Sequence, residues 1–346
     1  MKTIRELFGI EVPIIQAPMA GVQLGALAAA VSEAGGLGSL PCALATPEIM
    51  SREIELIRAR TPNPYNVNFF CHVPPQPDAQ REARWREALG PYYREHGIDP
   101  ASIPAGPGRA PFTSESADAL ERFKPPVVSF HFGLPEPRLL ARVKGWGAKV
   151  IASATTVDEA RWLEERGVDA VIAQGVEAGG HRGIFLGEDL TTQVGTFALV
   201  PQVVDAVKVP VIAAGGIADA RGVKAALDLG AAGVQVGTAF LLCEEATTSK
   251  LHRAALKSPA ARHTALTNLF TGRPARGIVN RIMRDLGAMS PLAPAFPLAT
   301  GGIAPLRAKA EAAGSTDFTS LWSGENASGC REVPAGEQLR ALAALI

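Results

Sequence analysis

The sequence has few of the features that mark several large classes of proteins. Only four of its 346 residues are cysteines, and Cys42, Cys71, Cys243 and Cys330 lie far apart without a C-x-x-C pair. This scarcity favours reduced thiols over a disulfide framework or a cysteine-ligated metal. An excess of charge of one sign is also missing, because 34 Lys and Arg residues balance 34 Asp and Glu residues. A neutral chain offers no electrostatic footprint for nucleic acid or for an anionic membrane.

Long hydrophobic runs are missing as well. The segment 12–32 carries no charge, but Pro13 and Pro18 interrupt it too early for a membrane helix. The N-terminal stretch "MKTIRELFGIEVP" contains Arg5 and Glu6 where a signal peptide needs an apolar core. We therefore expect a cytoplasmic protein without a membrane partner.

What the sequence does contain is a regular alternation of short apolar runs with amphipathic, charge-bearing stretches, in a chain that is 47% hydrophobic. Continuous apolar runs are typical of parallel strands that are covered on both faces. The candidate strands are residues 12–18, 36–40, 65–70, 127–133, 148–153, 169–175, 209–216 and 232–238. Eight strands that alternate with helices predict a (β/α)8 TIM barrel. A doubly wound open sheet is the alternative, but its early G-x-G-x-x-G turn is not matched by "APMAGVQLG".

Two regions interrupt this alternation and define the predicted domain organisation. Residues 71–112 form an insertion after the third strand, with a helix between Pro-rich ends. Its position after a strand places it beside the barrel mouth, and the sequence leaves open whether it acts as a lid. We predict that residues 1–245 form the barrel. Residues 246–346 are expected to form a mostly helical extension that packs on the barrel.

Glycine-rich turns follow the last two predicted strands. In (β/α)8 enzymes the chemistry gathers at the C-terminal strand ends, and phosphate is often bound after strands seven and eight. Gly215 and Gly216 follow the seventh strand, and a helix that begins near Asp219 would direct its N–H groups at an anion. Gly237 and Thr238 follow the eighth. The two turns together predict a phosphate site.

Amide side chains lie at four strand ends, namely Gln16, Asn68, Gln174 and Gln235. A buried amide needs hydrogen-bond partners, which either backbone or a ligand can provide. Four amides directed at one barrel mouth favour a flat heterocyclic cofactor with carbonyls and ring nitrogens.

Two histidines at strand ends are the catalytic candidates. His181 lies among glycines in "QGVEAGGHRG", residues 174–183, and glycines cannot build an apolar niche around it. An imidazole there can take a carbon-bound proton or donate to an oxyanion. His131, in "SFHFG", fits a catalytic role and a hydrogen-bonded core role equally well. No H-x-H or carboxylate cluster appears at the strand ends, so we predict no metal site.

At these residues the sequence resembles the nitronate monooxygenase family, formerly the 2-nitropropane dioxygenases, which are FMN-dependent (β/α)8 barrels. The matching stretches are "QAPMAG", "NVNFF", "SFHFGLP", "QGVEAGGHRG", "AAGGIAD" and "QVGTAFL". The tail stretches "LFTGRPARGIVNR" and "DFTSLWSGENA" extend the resemblance over nearly the whole chain. In contrast, "FPLATGGIAPLRAKAE" lacks the tyrosines that line the substrate pocket of some members.

The resemblance implies roles for individual residues. His181 corresponds to the family's active-site histidine. Asn68 and Gln174 would bond the flavin ring. Pro18, Met19 and Ala20 would lie against it. The residues implied around the ribityl chain and phosphate are Gly179, Gly180, Gly216, Gln235, Val236, Gly237 and Thr238.

The resemblance also implies the reaction. Alkyl nitronates, and nitroalkanes as a further option, would be oxidised with O2 to carbonyl compounds and nitrite or nitrate. The partners are then a small nitronate and O2, and both a monomer and a homodimer fit. One alternative is an NAD(P)H-dependent FMN reductase of quinones or enoyl thioesters. Another, from a different class, is a non-catalytic barrel that binds a phosphate ligand.

Overall fold

Strands and helices alternate along the computed structural model, which describes residues 3–103 and 109–346. In the first part of the chain the elements are α1 Ile4–Phe8, β1 Ile14–Gln16, α2 Gly25–Glu33, β2 Gly38–Pro41, α3 Pro47–Arg60, β3 Tyr65–Phe70, α4 Ala79–Glu95, α5 Ser114–Glu121, β4 Val127–His131, α6 Pro137–Gly145, β5 Lys149–Ala154, α7 Val157–Glu165 and β6 Ala170–Gln174. They continue with β7 Gly180–His181, α8 Thr196–Ala206, β8 Val211–Ala214, α9 Ala220–Asp228, β9 Gly233–Val236, α10 Lys250–Lys257, β10 Thr264–Thr267, β11 Ala275–Ile278, α11 Arg281–Asp285, α12 Ala299–Ala312 and α13 Ala335–Leu342.

The main sheet is a closed barrel of parallel strands. Its eight strands follow the order β1-β9-β8-β6-β5-β4-β3-β2, and a parallel bridge between Ile15 and Leu37 joins the first strand to the last. Each of the eight predicted strands corresponds to one strand of this sheet, with bounds that differ by at most two residues at either end. The (β/α)8 prediction is confirmed, and the open-sheet alternative is wrong because the two edges meet.

Side chains alternate between the inside and the outside of each barrel strand, and the inward set changes character along the strand. Near the N-terminal ends the inward residues are apolar, as in Val127 and Ile151, and they form a cluster with Ile4 and Phe8 of α1. This cluster closes the bottom of the barrel. Near the C-terminal ends the inward residues are polar, and they line a cavity; they are Asn68, Ser129, His131, Ser153, Gln174 and Gln235.

The predicted insertion does contain a helix, α4, but this helix is held by the C-terminal part of the chain. Trp85 and Tyr93 are almost fully buried in one cluster with Leu306 of α12. The Trp85 indole donates a hydrogen bond of 3.3 Å to the carbonyl of Ala299, and the Tyr93 hydroxyl donates one of 2.7 Å to Gly302. Residues 104–108 of the predicted insertion lie outside the described residues. Among the described ones, no helix is long and apolar enough to cross a bilayer.

The region from residue 246 onward contains four helices, α10 to α13, and also two strands that the sequence did not predict. Strands β10 and β11 form an antiparallel pair, and β11 also pairs with β7, with Ala275 opposite His181. The last helix, α13, returns to the barrel, where Leu339 and Leu342 join its main core. The extension therefore contacts the barrel both at its mouth and on its outer layer of helices.

Candidate active site

A deep cavity opens at the C-terminal ends of the barrel strands. It encloses about 1350 Å³ of empty space, part of which is open to solvent. All the residues that the resemblance implies for the site line it, and so does His131; they are Pro18, Met19, Ala20, Asn68, His131, Gln174, Gly179, Gly180, His181, Gly216, Gln235, Val236, Gly237 and Thr238.

Gln16, in contrast, does not reach the cavity, and its expected place there is wrong. Strand alternation turns Ile15 into the barrel and Gln16 outward, toward the surrounding helices. The Gln16 side chain is fully buried, donates to Gln23 Oε1 at 2.6 Å and accepts the Ser39 N–H at 3.0 Å. Its hydrogen bonds are satisfied inside the wall of the barrel.

One side of the cavity is built from backbone N–H groups. No described residue accepts a hydrogen bond from the N–H groups of Gly179, Gly216, Gly237 or Thr238. Gly216 has a φ of +71°, a conformation that side chains other than glycine rarely adopt. A Cβ atom on Gly237 would approach Ala17 to 3.3 Å, so only glycine leaves this surface open. These free donors form a cradle suited to an anionic group such as phosphate.

The helix that follows the seventh barrel strand, α9, does not contribute to this cradle, although the sequence suggested that it would. Asp219 is the N-cap of α9, and its carboxylate accepts the Gly222 N–H at 3.0 Å. A carboxylate at the helix N-terminus occupies the position that an anion would take. The turns at Gly216 and Gly237, rather than the helix end, present the free donors.

The cavity amides differ in how much of their hydrogen-bonding capacity remains. Gln235 Oε1 is buried and has no partner among the described residues. Asn68 Nδ2 donates to the hydroxyl and carbonyl of Ser129, which leaves its carbonyl oxygen open. Gln174 uses both ends of its amide, because it donates one N–H to the His181 carbonyl at 3.0 Å and accepts the Gly183 N–H at 2.7 Å. Gln174 thereby braces the loop that carries His181.

His181 lies where the barrel meets the extension. Its Nε2 is 2.9 Å from the Thr271 hydroxyl and 3.5 Å from Arg109 Nη1. Burial lowers the pKa of His181 well below its usual range, and the charge of Arg109 adds to this effect. The imidazole is therefore neutral at physiological pH.

Both ring nitrogens of His131 are occupied by protein. Its Nε2 donates to the His181 carbonyl at 3.2 Å, and its Nδ1 accepts from the Ser153 hydroxyl. Burial, aided by the charge of Arg273, lowers the pKa of His131 to about 3. A catalytic role for His131 stays a prediction, whereas the contacts describe a neutral side chain that positions the backbone of His181.

Several residues around His181 were not found from the sequence. Arg109 comes from the insertion, and Thr271 comes from the extension. The rings of Phe296 and Trp322 lie 5.4 and 5.6 Å from the His181 ring, measured between centroids. Thr271 and Trp322 lie in tail stretches that carry the family resemblance, but no local pattern in the sequence places any of the four at the site. In the described part of the chain, no group of three His, Cys, Asp or Glu residues is placed to hold a metal ion.

The fold and the cavity define the class of the protein. It is a (β/α)8-barrel protein whose C-terminal face combines a backbone cradle for an anion, an unsatisfied amide and a neutral imidazole. This combination is typical of barrel enzymes that bind a phosphorylated cofactor or substrate.

Comparison with known proteins gives the family. The family model described as nitronate monooxygenase matches residues 2–344. A nitronate monooxygenase of Pseudomonas aeruginosa is 44% identical over 97% of this chain and 96% of its own length. One of Paraburkholderia phytofirmans is 44% identical over 96% and 91%. The chain belongs to the nitronate monooxygenase family and is an oxidoreductase.

Solved structures agree with this assignment. The nitroalkane oxidase of Streptomyces ansochromogenes superposes with a TM-score of 0.90 at 40% identity, over 99% of this chain and 97% of that one. FabK from Thermotoga maritima is more distant, with a TM-score of 0.75 at 30% identity over 99% and 95%.

Proposed function

We propose that this protein binds FMN and oxidises alkyl nitronates with O2 to carbonyl compounds and nitrite or nitrate. The observation that carries the proposal is the placement of a neutral imidazole, His181, in the same cavity as a backbone anion cradle. Membership of the nitronate monooxygenase family supports the class of reaction.

The residues present fit FMN. The free N–H groups at Gly216, Gly237 and Thr238 suit its phosphate, since they are donors without a protein partner. Gln235 Oε1, buried and unpaired, suits a ring N–H of the flavin. The bound flavin would supply the redox chemistry that transfers electrons from the substrate to O2.

His181 is the residue to which we assign proton transfer at the site. A neutral nitroalkane must lose its α-proton before it is a nitronate, and the neutral imidazole of His181, which lines the cavity, can accept that proton. A preformed nitronate needs no such transfer. The Thr271 hydroxyl, at 2.9 Å, and the pairing of β7 with β11 fix the imidazole in place.

The test is His181→Asn, which keeps a polar group but removes the base. We expect turnover of neutral nitroethane to fall roughly 100-fold or more, the usual contribution of a general base. Turnover of preformed ethyl nitronate should fall less than tenfold. Rates are normalised to bound flavin, and His263→Gln, on the surface, is the control.

Two outcomes would contradict the proposal. Equal losses on nitroethane and on its nitronate would exclude His181 as the base. A wild-type protein that consumes no O2 with any nitronate would refute the reaction itself. Anaerobic mixing with NADH or NADPH separates the reductase alternative, because rapid bleaching of the flavin is expected only for a reductase.

A further inference from the structure

The cavity carries positive charge and no negative charge. None of the described residues that line it is an Asp or a Glu, whereas Arg109 is among them. His131 and His181 add no charge, because burial keeps both imidazoles neutral. A chain with zero net charge thus presents a locally cationic active site.

The half-buried Arg109 differs from the buried arginines in lacking a carboxylate or carbonyl acceptor among the described residues. Arg276 pairs with Glu325 at 3.0 Å, and Arg182 donates to two backbone carbonyls at 2.6 and 2.7 Å. For the Arg109 guanidinium, the only hydrogen-bond partner among the described residues is His181 Nε2, at 3.5 Å. Most of its five N–H donors therefore remain available to a ligand.

The position of Arg109 is fixed by its backbone and its ring neighbour. His72, itself buried, donates from Nε2 to the Arg109 carbonyl at 2.9 Å. The guanidinium carbon lies 5.6 Å from the centroid of the Phe296 ring. Burial lowers the pKa of Arg109 to about 10, and the nearby charge of Arg307 adds to this, so the side chain is still charged at neutral pH. A charge that is held out of water without a counter-charge is costly, and an anionic ligand removes that cost.

We propose that Arg109 binds the anionic head of the substrate and makes the enzyme select a nitronate over its neutral nitroalkane. A nitronate carries its charge on two coplanar oxygens, which match the planar fork of a guanidinium. The inference rests on the proposed function, because it assigns the residue that recognises that substrate. It also places the anion within reach of His181.

The decisive experiment measures anion binding without turnover. Isobutyrate has the planar, two-oxygen charge of a nitronate but cannot be oxidised in the same way, and isobutyramide is its neutral counterpart. Binding of both to the flavin-loaded protein is measured by calorimetry for the wild type, Arg109→Gln and Arg109→Lys. Arg307→Gln is the matched control, because it removes the same charge nearby from a residue that does not line the cavity.

We expect Arg109→Gln to weaken isobutyrate binding roughly 10- to 100-fold, the range of a hydrogen-bonded charge. Isobutyramide binding should change less than about threefold, and Arg307→Gln should have little effect on the binding of either ligand. Arg109→Lys keeps the charge without the fork, so its affinity should lie between wild type and Arg109→Gln. In kinetics, kcat/KM for ethyl nitronate should fall with Arg109→Gln, while that for nitroethane changes little.

Wild-type affinity for isobutyrate in Arg109→Gln, or no isobutyrate binding by the wild type, would overturn the proposal. Equal weakening of isobutyrate and isobutyramide would also overturn it, because it would indicate a general structural role. Failure of the proposed function gives a different result: Arg109-dependent binding of isobutyrate together with no O2 uptake on nitronates. Arg109 would then be the binding site of a planar anion other than a nitronate.

Discussion

The barrel and the segments added to it contribute different things to the cavity. The barrel, from β1 to β9, presents backbone donors such as those of Gly216 and Gly237, and inward amides such as Gln235. The added segments present side chains that approach from above, namely Arg109, Thr271 and Trp322. The candidate cofactor cradle thus belongs to the barrel, and the surroundings of the substrate belong to the additions.

His181 joins the two regions. Its strand, β7, leaves the barrel after β6 and pairs with β11 of the extension. Gln174 and His131, both inward residues of barrel strands, hold its carbonyl from below. The extension meets its ring through Thr271. A change on either side of this junction should therefore affect the imidazole, but only a change on the barrel side should affect cofactor binding.

The contact between Gly179 and the extension offers the largest expected effect. A Cβ atom at residue 179 would lie 2.4 Å from the Gly324 nitrogen, and because this is a backbone atom the shift that relieves the clash is costly. Gly179→Ala should therefore displace the 323–324 segment and the cradle together. We expect bound flavin to fall at least tenfold, and the flavin content of the purified protein is the measurement.

Gly187→Ala is the control for this change, since nothing lies within 4 Å of its Cβ position. It should retain normal flavin. If Gly179→Ala also retains normal flavin but loses turnover, the prediction would be wrong. The barrel alone would then bind the cofactor, without help from the extension. The cradle would then not depend on Gly324.

Trp85→Ala tests whether the added segments can be weakened alone. Trp85 is 1% exposed and packs in the cluster shared by α4 and α12, so its loss should cost about 3 to 5 kcal/mol. Since this cluster contains no barrel strand, nitronate turnover should fall well before flavin is released on heating. Parallel thermal scans of activity and of flavin release measure the difference.

Trp162→Ala, on the outer helix α7 of the barrel, is the comparison variant. Its ring is half-buried against Phe185, so a smaller loss of stability is expected. Coincident loss of activity and flavin in Trp85→Ala would show that the two regions unfold as one unit.

The barrel could be predicted from the sequence because its strands are continuous apolar runs. Their C-terminal ends must meet at one mouth, so residues as distant as Pro18 and Thr238 could be placed in one cavity. The prediction failed at Gln16 because a shift of one residue along a strand reverses the direction of the side chain. It failed at the N-terminus of α9 because the local cap, Asp219, occupies that helix end.

The surroundings of His181 could not be predicted for a different reason. Strand β7 has two residues, too few to show a period, and it pairs with a strand almost a hundred residues away. Arg109 and Thr271, which contact the imidazole, come from the insertion and the extension, two regions that also pack on each other where Trp85 of α4 contacts Ala299 of α12. Contacts between segments so far apart leave no local pattern in a single sequence.

The smallest expected effect concerns acid stability, and it tests whether the junction is the acid-sensitive part of the molecule. His252 of α10 is 4% exposed, and its Nε2 donates to the carbonyl of Trp322 at 3.2 Å. Burial lowers its pKa from 6.5 to about 4. Between these values the unfolded chain binds the proton more tightly, so stability falls as the pH drops through 6.5.

His252→Gln removes the imidazole that takes up this proton, and it keeps an amide donor for the Trp322 carbonyl. The wild type should lose about 1 kcal/mol of stability from this residue between neutral pH and about pH 5.5. Over the same range, the free energy of unfolding of the variant should fall by that much less. Denaturant unfolding at several pH values measures it, with exposed His263→Gln as control. Because burial also lowers the pKa of His72, His131 and His181, which act in the same direction, an unchanged slope in His252→Gln would assign the acid sensitivity to these histidines.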